Sequence, residues 1–337
     1  MKKIFILAFL LLSAFLTACG GGGGTVPSLP GGGSSGSGGG GGIVPSLPGG
    51  GSSGSGGDGG GGKVGTTWTL RNSSTIKNLL GVTYGGGTFV AVGAEGTIVT
   101  SPDGVNWTQR NSGTRNALFS VTYGNGLFVA VGENGTILTS SDGVNWTQQT
   151  SPINKYLDLL EVTYGNGLFV AVGDNGTILT SSDGVNWTQQ NSGIRTTLNS
   201  VTYGNGLFVA VGFDTILTSS DGVNWTRQTF GTFHGFLGVT YGNGLFVVVS
   251  DDGTILTSPD GVNWTQQTLN TNGWLRGVTY GNGLFVAVGD NGTILTSSDG
   301  VNWTQQTPPI KLNLFDVTYR NGLFVAVGAF GTLLTSP

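Results

Sequence analysis

The tripeptide Val-Thr-Tyr recurs seven times, beginning at Val82, Val121, Val162, Val201, Val239, Val278 and Val317, at intervals of 38 to 41 residues. A period of that length constrains a fold strongly, because each copy must be one small unit that buries its apolar face against the next. The near-consensus unit reads LNSVTYGNGLFVAVGDNGTILTSSDGVNWTQQ. It divides into four short strands. Strand A is Leu-x-x-Val-Thr-Tyr, strand B Leu-Phe-Val-Ala-Val, strand C Thr-Ile-Leu-Thr-Ser and strand D Asn-Trp-Thr-Gln-Gln. Asn-Gly and Asp-Gly pairs between β-branched and aromatic runs are hairpin signals. Strand B is apolar on both faces, as a sheet packed between two other sheets requires.

Four strands in about 40 residues is the arithmetic of a propeller blade. The expected fold is therefore all-β: a seven-bladed β-propeller of four-stranded blades. The chain ends at Leu334-Thr335-Ser336-Pro337, where earlier units go on to Asp-Gly-Val-Asn-Trp. The missing fourth strand stands at the other end, as Thr67-Trp68-Thr69-Leu70-Arg71. The Trp68 strand is thus expected to complete the blade begun at Val317, which would close the ring and leave no open sheet edge.

Ahead of the repeats lies a different kind of chain. Lys2 and Lys3 precede an apolar run, Ile4 to Leu16, too short to span a bilayer comfortably but suited to a signal peptide. The run ends Leu16-Thr17-Ala18-Cys19, and this Cys is the only one in the chain. That ending resembles the lipobox of bacterial lipoproteins. The resemblance implies cleavage before Cys19, lipidation of its thiol and attachment to a membrane; several acyl chains hold firmly, at about 0.8 kcal/mol per buried methylene. Gly20 in place of Asp resembles an outer-membrane rather than an inner-membrane signal.

Of 65 glycines, 25 fall in residues 20–65, among Ser and Pro, with Val-Pro-Ser-Leu-Pro occurring twice. Such a segment cannot bury enough apolar surface to offset its chain entropy. It would act as a tether with a reach of about 35–40 Å, from ~5–6 Å × √n. The expected organisation is a signal peptide over 1–18, the lipidated Cys and tether over 19–65, and the propeller over 66–337.

The turn Ser-x-Asp-Gly-Val-Asn-Trp occurs six times, from Ser101, Ser140, Ser181, Ser219, Ser258 and Ser297. It resembles the Asp-box, or BNR repeat, of sialidases and of many non-enzymatic propellers, but is one residue shorter between Asp and Gly. The longer repeat, with its Val-Gly-x-x-Gly-Thr-Ile-Leu-Thr-Ser run, also resembles the photosystem II assembly-factor propellers. The likeness spans essentially 66–337 and implies fold rather than function, since the Asp-box is a folding element. Its Asp is expected to tie the turn to its own backbone, and its Trp to pack between blades.

The resemblance to sialidases implies three Arg, a Tyr–Glu pair, an Asp acid and an Arg-Ile-Pro motif. No Arg-Ile-Pro is present, and the three Glu are Glu95, Glu133 and Glu161. Symmetry-equivalent carboxylates rarely take distinct acid and base roles, which need different environments. No catalytic residue, metal or cofactor is expected. One His and one Cys leave no zinc or iron–sulfur set, and a net charge of −4 disfavours nucleic acid as a partner.

Recognition is expected where the units differ. The A–B and C–D turns barely vary, whereas the D–A connections range from NSGTRNALFS to PPIKLNLFD. Varied loops on a fixed scaffold are the usual carriers of binding. A cationic or titratable residue recurs in them: Lys77, Arg115, Lys155, Arg195, His234 and Lys311, with Arg276 slightly later in the remaining unit. These are expected to ring the channel mouth and hold an anionic glycan or an acidic protein loop, with Tyr156, Phe233 and Trp274 beside them to stack or anchor. The leading expectation is a monomeric, non-catalytic binding or scaffolding lipoprotein of the cell envelope, with a protein or glycan partner. A carbohydrate-active enzyme and an assembly factor for a membrane complex are the alternatives.

Overall fold

The computed structural model describes residues 65–228, 234–267 and 273–337. These form seven four-stranded antiparallel sheets. In blade 1, strands A to D are Leu79–Gly85, Thr88–Gly93, Ile98–Ser101 and Thr108–Arg110, hydrogen-bonded in that order. Strand A of the later blades is Leu118–Gly124, Leu159–Gly165, Leu198–Gly204, Phe236–Gly242, Leu275–Gly281 and Leu314–Arg320. Each strand A lies beside strand A of its neighbours, and that of blade 7 returns to that of blade 1. The fold is a seven-bladed β-propeller, and strand A lines its axis.

Strand B explains why the blades stack. Phe89, Val90, Ala91 and Val92 are all fully buried. Phe89 and Ala91 share a core with Val325 and Val327 of blade 7, whereas Val90 and Val92 share one with Leu118 and Phe128 of blade 2. The alternation of a strand thus sends successive side chains into two different inter-blade cores. Each buried side chain contributes about 1.5–3 kcal/mol.

The turns follow from their residues. Asn125 and Gly126, in the A–B turn of blade 2, have φ of 49° and 76°, the pair of positive values that such a hairpin needs and that Asn-Gly tolerates. At Gly124 a Cβ would stand 2.0 Å from Cγ of Tyr164, so strand A of blade 2 can approach blade 3 only with glycine there. Blade 7 has Arg320 at this position.

The box turns are tied as their residues imply. Asp142 Oδ1 accepts from the N–H groups of Val144 and Asn145, both at 2.8 Å, and from Ser140 Oγ at 3.0 Å. Trp146 Nε1 donates to the Gly143 carbonyl at 3.0 Å. Strand D is shorter than its sequence pattern: in blade 1 it begins at Thr108, because the indole of Trp107 is bonded back to Gly104 and so belongs to the turn.

Closure follows the expected pairing. Thr69 and Leu70 form the outer strand of blade 7 and face Thr335 and Leu334 of its third strand. The two ends also rebuild a box turn between them. Gly65 N–H donates to the Pro337 carbonyl at 2.8 Å, and Trp68 Nε1 to the Gly65 carbonyl at 3.0 Å. Ser336-Pro337 supplies its first half and Gly65 to Trp68 its second, with no Asp between them.

Candidate functional site

The B–C turns and D–A loops lie together on one face. Glu133 N–H donates to the Ala117 carbonyl at 2.9 Å, Asp174 to Asp158 at 3.0 Å and Ala329 to Asn313 at 2.9 Å. The box turns lie on the opposite face, where Gly104 sits against Leu323, at the start of strand B of blade 7.

The cationic positions of the loop face have unlike surroundings. Lys77 Nζ pairs with Glu95 at 2.6 Å. Arg115, Arg195 and Lys311 are exposed. Lys155 Nζ stands 5.4 Å from the centre of the Tyr156 ring, which is itself exposed. His234 Nδ1 lies 2.7 Å from Asp252 Oδ2. Arg276 is held by Asp290 at 2.5 and 3.2 Å, and its guanidinium stacks 5.2 Å from Trp274 and 5.4 Å from Phe315. Of these positions, Arg276 alone is among the residues lining the axial channel. The others occupy the loops around it. Phe233 and Cys19 fall outside the described residues.

Exposed apolar side chains sort by face. Ile76, Tyr156, Phe213, Leu312 and Phe330 all stand on D–A loops or B–C turns. The six box valines, Val105 through Val301, are spread one per blade over the other face, and Leu70 lies on an outer strand. Every exposed aromatic among the described residues is therefore on the loop face. Of these, Phe213 and Phe330 were not read from the sequence as site residues. Their signal was there: they put an aromatic residue in B–C turns that otherwise read Ala-Glu-Gly, Glu-Asn-Gly, Asp-Asn-Gly or Asp-Asp-Gly.

The axial channel holds a cavity of about 320 Å³ walled by strand A of all seven blades. A register shift near the start of each strand A, as between Leu159 and Glu161, leaves the intervening residue unpaired. Leu80, Phe119, Leu160, Leu237 and Phe315 consequently line the cavity, with Asn199 and Arg276 at the same level. The next position reads Gly81, Ser120, Glu161, Ser200, Gly238, Gly277 and Asp316 around the ring. Its side chains reach the backbone of the following blade. Asp316 Oδ2 accepts from Val82 N–H at 2.8 Å, and Ser200 Oγ from Val239 N–H at 3.3 Å. Ser120 Oγ donates to Glu161 Oε1 at 2.5 Å.

Enclosure by the blades makes both carboxyls hard to ionise. Burial raises Glu161 to about 8, with the charge of Asp316 adding to the effect. Burial raises Asp316 to about 6, against the N–H bonds from Val82 and Val317, which favour its anion. Of the two, Glu161 is thus the harder to ionise. Neither residue is among the candidate positions named from the sequence. The signal was a polar or charged residue just before an otherwise invariant Val-Thr-Tyr.

No protein-family model matches the chain, and no curated protein sequence matches it. Solved structures do. YCF48 from Cyanidioschyzon merolae superposes with a TM-score of 0.65 at 17% identity, over 80% of this chain and 98% of that one. A structure of YCF48 bound to D1 peptide gives 0.67 at 19%, over 80% and 94%. Virginiamycin B lyase from Staphylococcus aureus gives 0.72 at 16%, over 80% and 99%. One neighbour is a peptide complex and another an enzyme, so at these identities the likeness extends to the fold: this chain is a β-propeller of seven four-stranded blades.

Proposed function

We propose that this chain is a non-catalytic binding propeller that recognises a protein segment through its D–A/B–C loop face. One observation carries the reading: exposed aromatic side chains among the described residues occur on that face alone, interleaved with Arg115, Lys155, Arg195 and Lys311. Aromatic and arginine side chains are the usual anchors of protein interfaces. A structural neighbour bound to a peptide supports a protein ligand, and with it the reading as an assembly factor.

The leader and Cys19 support an envelope lipoprotein, attached through the Gly/Ser/Pro segment and placed in the outer membrane by Gly20. A lipid-analogue label incorporated by the wild type and lost in Cys19→Ser tests the anchor.

For the binding role, the immobilised full chain is exposed to solubilised envelope proteins and to acidic glycans. Salt-sensitive retention of protein, abolished by changing Arg115, Lys155 and Arg195 together to Ala, is expected. Undiminished retention by that triple variant would place recognition elsewhere.

The channel carboxyls favour a second reading, a carbohydrate-active enzyme with Glu161, whose carboxyl is the harder to ionise, as general acid and Asp316 as its partner. It requires turnover of a glycoside or polysaccharide panel that Glu161→Gln removes.

A further inference from the structure

The repeat is broken most conspicuously where blades 7 and 1 meet. The B–C turn of blade 7 reads Ala329-Phe330-Gly331, and every other B–C turn carries at least one carboxylate. Phe330 has φ of 54°, in the left-handed region. The corresponding residues of blades 2, 3 and 6 are Asn134, Asn175 and Asn291, at 57°, 55° and 56°. Asn tolerates that conformation, whereas a bulky residue adopts it at a cost.

The turn itself does not need the phenyl ring. Phe330 N–H donates to Asn78 Oδ1 at 2.9 Å, just as Asn134 donates to Asp158 and Asn291 to Asn313. The backbone performs the same task in these three units, and in blade 7 the residue is left 52% exposed. A strained backbone that holds an aromatic side chain in water contributes nothing to folding, and so points to use.

Two further apolar side chains are brought to the same seam. Ser73 Oγ donates to the Gly331 carbonyl at 2.6 Å, and a Cβ on Gly331 would meet the Thr75 carbonyl. Ala329 N–H donates to the Asn313 carbonyl on the other side. The Phe330 turn is thus held between the loop carrying Ile76, 81% exposed, and the loop carrying Leu312, 37% exposed. Beside Leu312 stands exposed Lys311. The carboxylate of the adjoining blade 6 turn, Asp290, is taken by Arg276, and Lys77 is taken by Glu95. Among the described residues the seam therefore combines three exposed apolar side chains with one cation, Lys311, that is in no ion pair.

We propose that this seam is a docking surface for an extended segment of a partner protein that presents an aromatic or aliphatic side chain next to a carboxylate. The apolar residue seats against Phe330, Ile76 and Leu312, and the carboxylate meets Lys311. A symmetric contact with a second copy fits less well, because two-fold pairing brings Lys311 toward its own image. A lipid surface would call for a broad patch with several cations, and the seam offers three apolar side chains and one. This inference rests on the reading of the loop face as a protein-binding face and narrows it to one seam.

The test is selection of a phage-displayed library of random peptides on the full chain, followed by affinity measurement with synthetic copies of the enriched sequences. Enrichment of an apolar residue adjacent to Asp or Glu is expected. Phe330→Asn should weaken those peptides at least tenfold with an equal or higher melting temperature, since it restores the residue of the sister units. Ile76→Ser and Lys311→Glu should each weaken them several-fold. Peptides that bind F330N as tightly as wild type overturn the proposal. So does self-association, or binding to anionic phosphatidylglycerol vesicles, that F330N abolishes. If affinity falls with the Arg115, Lys155 and Arg195 triple variant but not with F330N, the loop face stands and the seam fails. If the wild type enriches no peptide, both fail.

Discussion

Glu161 and Asp316 stand at a level of the channel wall otherwise made of Gly and Ser. The carboxyl of Glu161 takes its proton near pH 8 when folded and near 4.5 when free in the chain. Folding is thus favoured below pH 4.5, and that contribution is lost as the pH rises through about 8. Glu161→Gln should raise the melting temperature by roughly 2–5 °C at alkaline pH and leave it nearly unchanged in mild acid. Calorimetry across that range checks this, and a pH-independent shift would count against it. The box aspartates behave in the opposite sense. Bonds from Asn186 and Val185 hold Asp183 well below its ordinary 3.8. Its contribution is present above that value and fades in stronger acid. Asp183→Ala should therefore melt roughly 2–4 °C below wild type at neutral pH, and the gap should close in strong acid. The Asp role was legible from Ser-x-Asp-Gly, because a short polar side chain two residues ahead of free N–H groups bonds them locally. Glu161 was not, because its environment is built by residues of other blades.

At the scale of the element, the closing strand does more than its two paired residues imply. Trp68 is as buried as Trp107, and it packs in the core with Val317 and Phe324. Trp68→Ala should cost about 3–5 kcal/mol. Deletion of residues 66–73 should lower the melting temperature further, by exposing the outer edge of blade 7 as well. A deletion that melts like wild type would refute the closure role of this strand. The strand was found in the sequence because a unit lacked its fourth strand and a matching piece stood at the other end. Its length was not, because an indole bonded to the turn glycine shortens every outer strand.

At the scale of the molecule, the ring makes the position of the chain ends a matter of one turn. Inserting Asp between Pro337 and Gly65 would complete Ser336-Pro337-Asp-Gly65 as a seventh box. A circular permutant of the propeller joined in this way, with new ends in the exposed loop at Asn154 and Lys155, should fold and melt within a few degrees of the same segment in native order. An unfolded permutant would show that the closing seam tolerates no such join. The repeat by itself determined the number of blades, the order of strands in each and the closing pair. These depend on local periodicity and turn chemistry, which every copy states again. Only the tertiary structure decided which side chains share a space. It separated Arg276, in the channel wall, from the other loop cations, and it set Glu161 and Asp316 in one channel. It also gathered Ile76, Leu312 and Phe330 at one seam, although they come from opposite ends of the chain. Ring closure is the physical reason: it makes neighbours of residues some 250 positions apart, a proximity that no window of sequence contains.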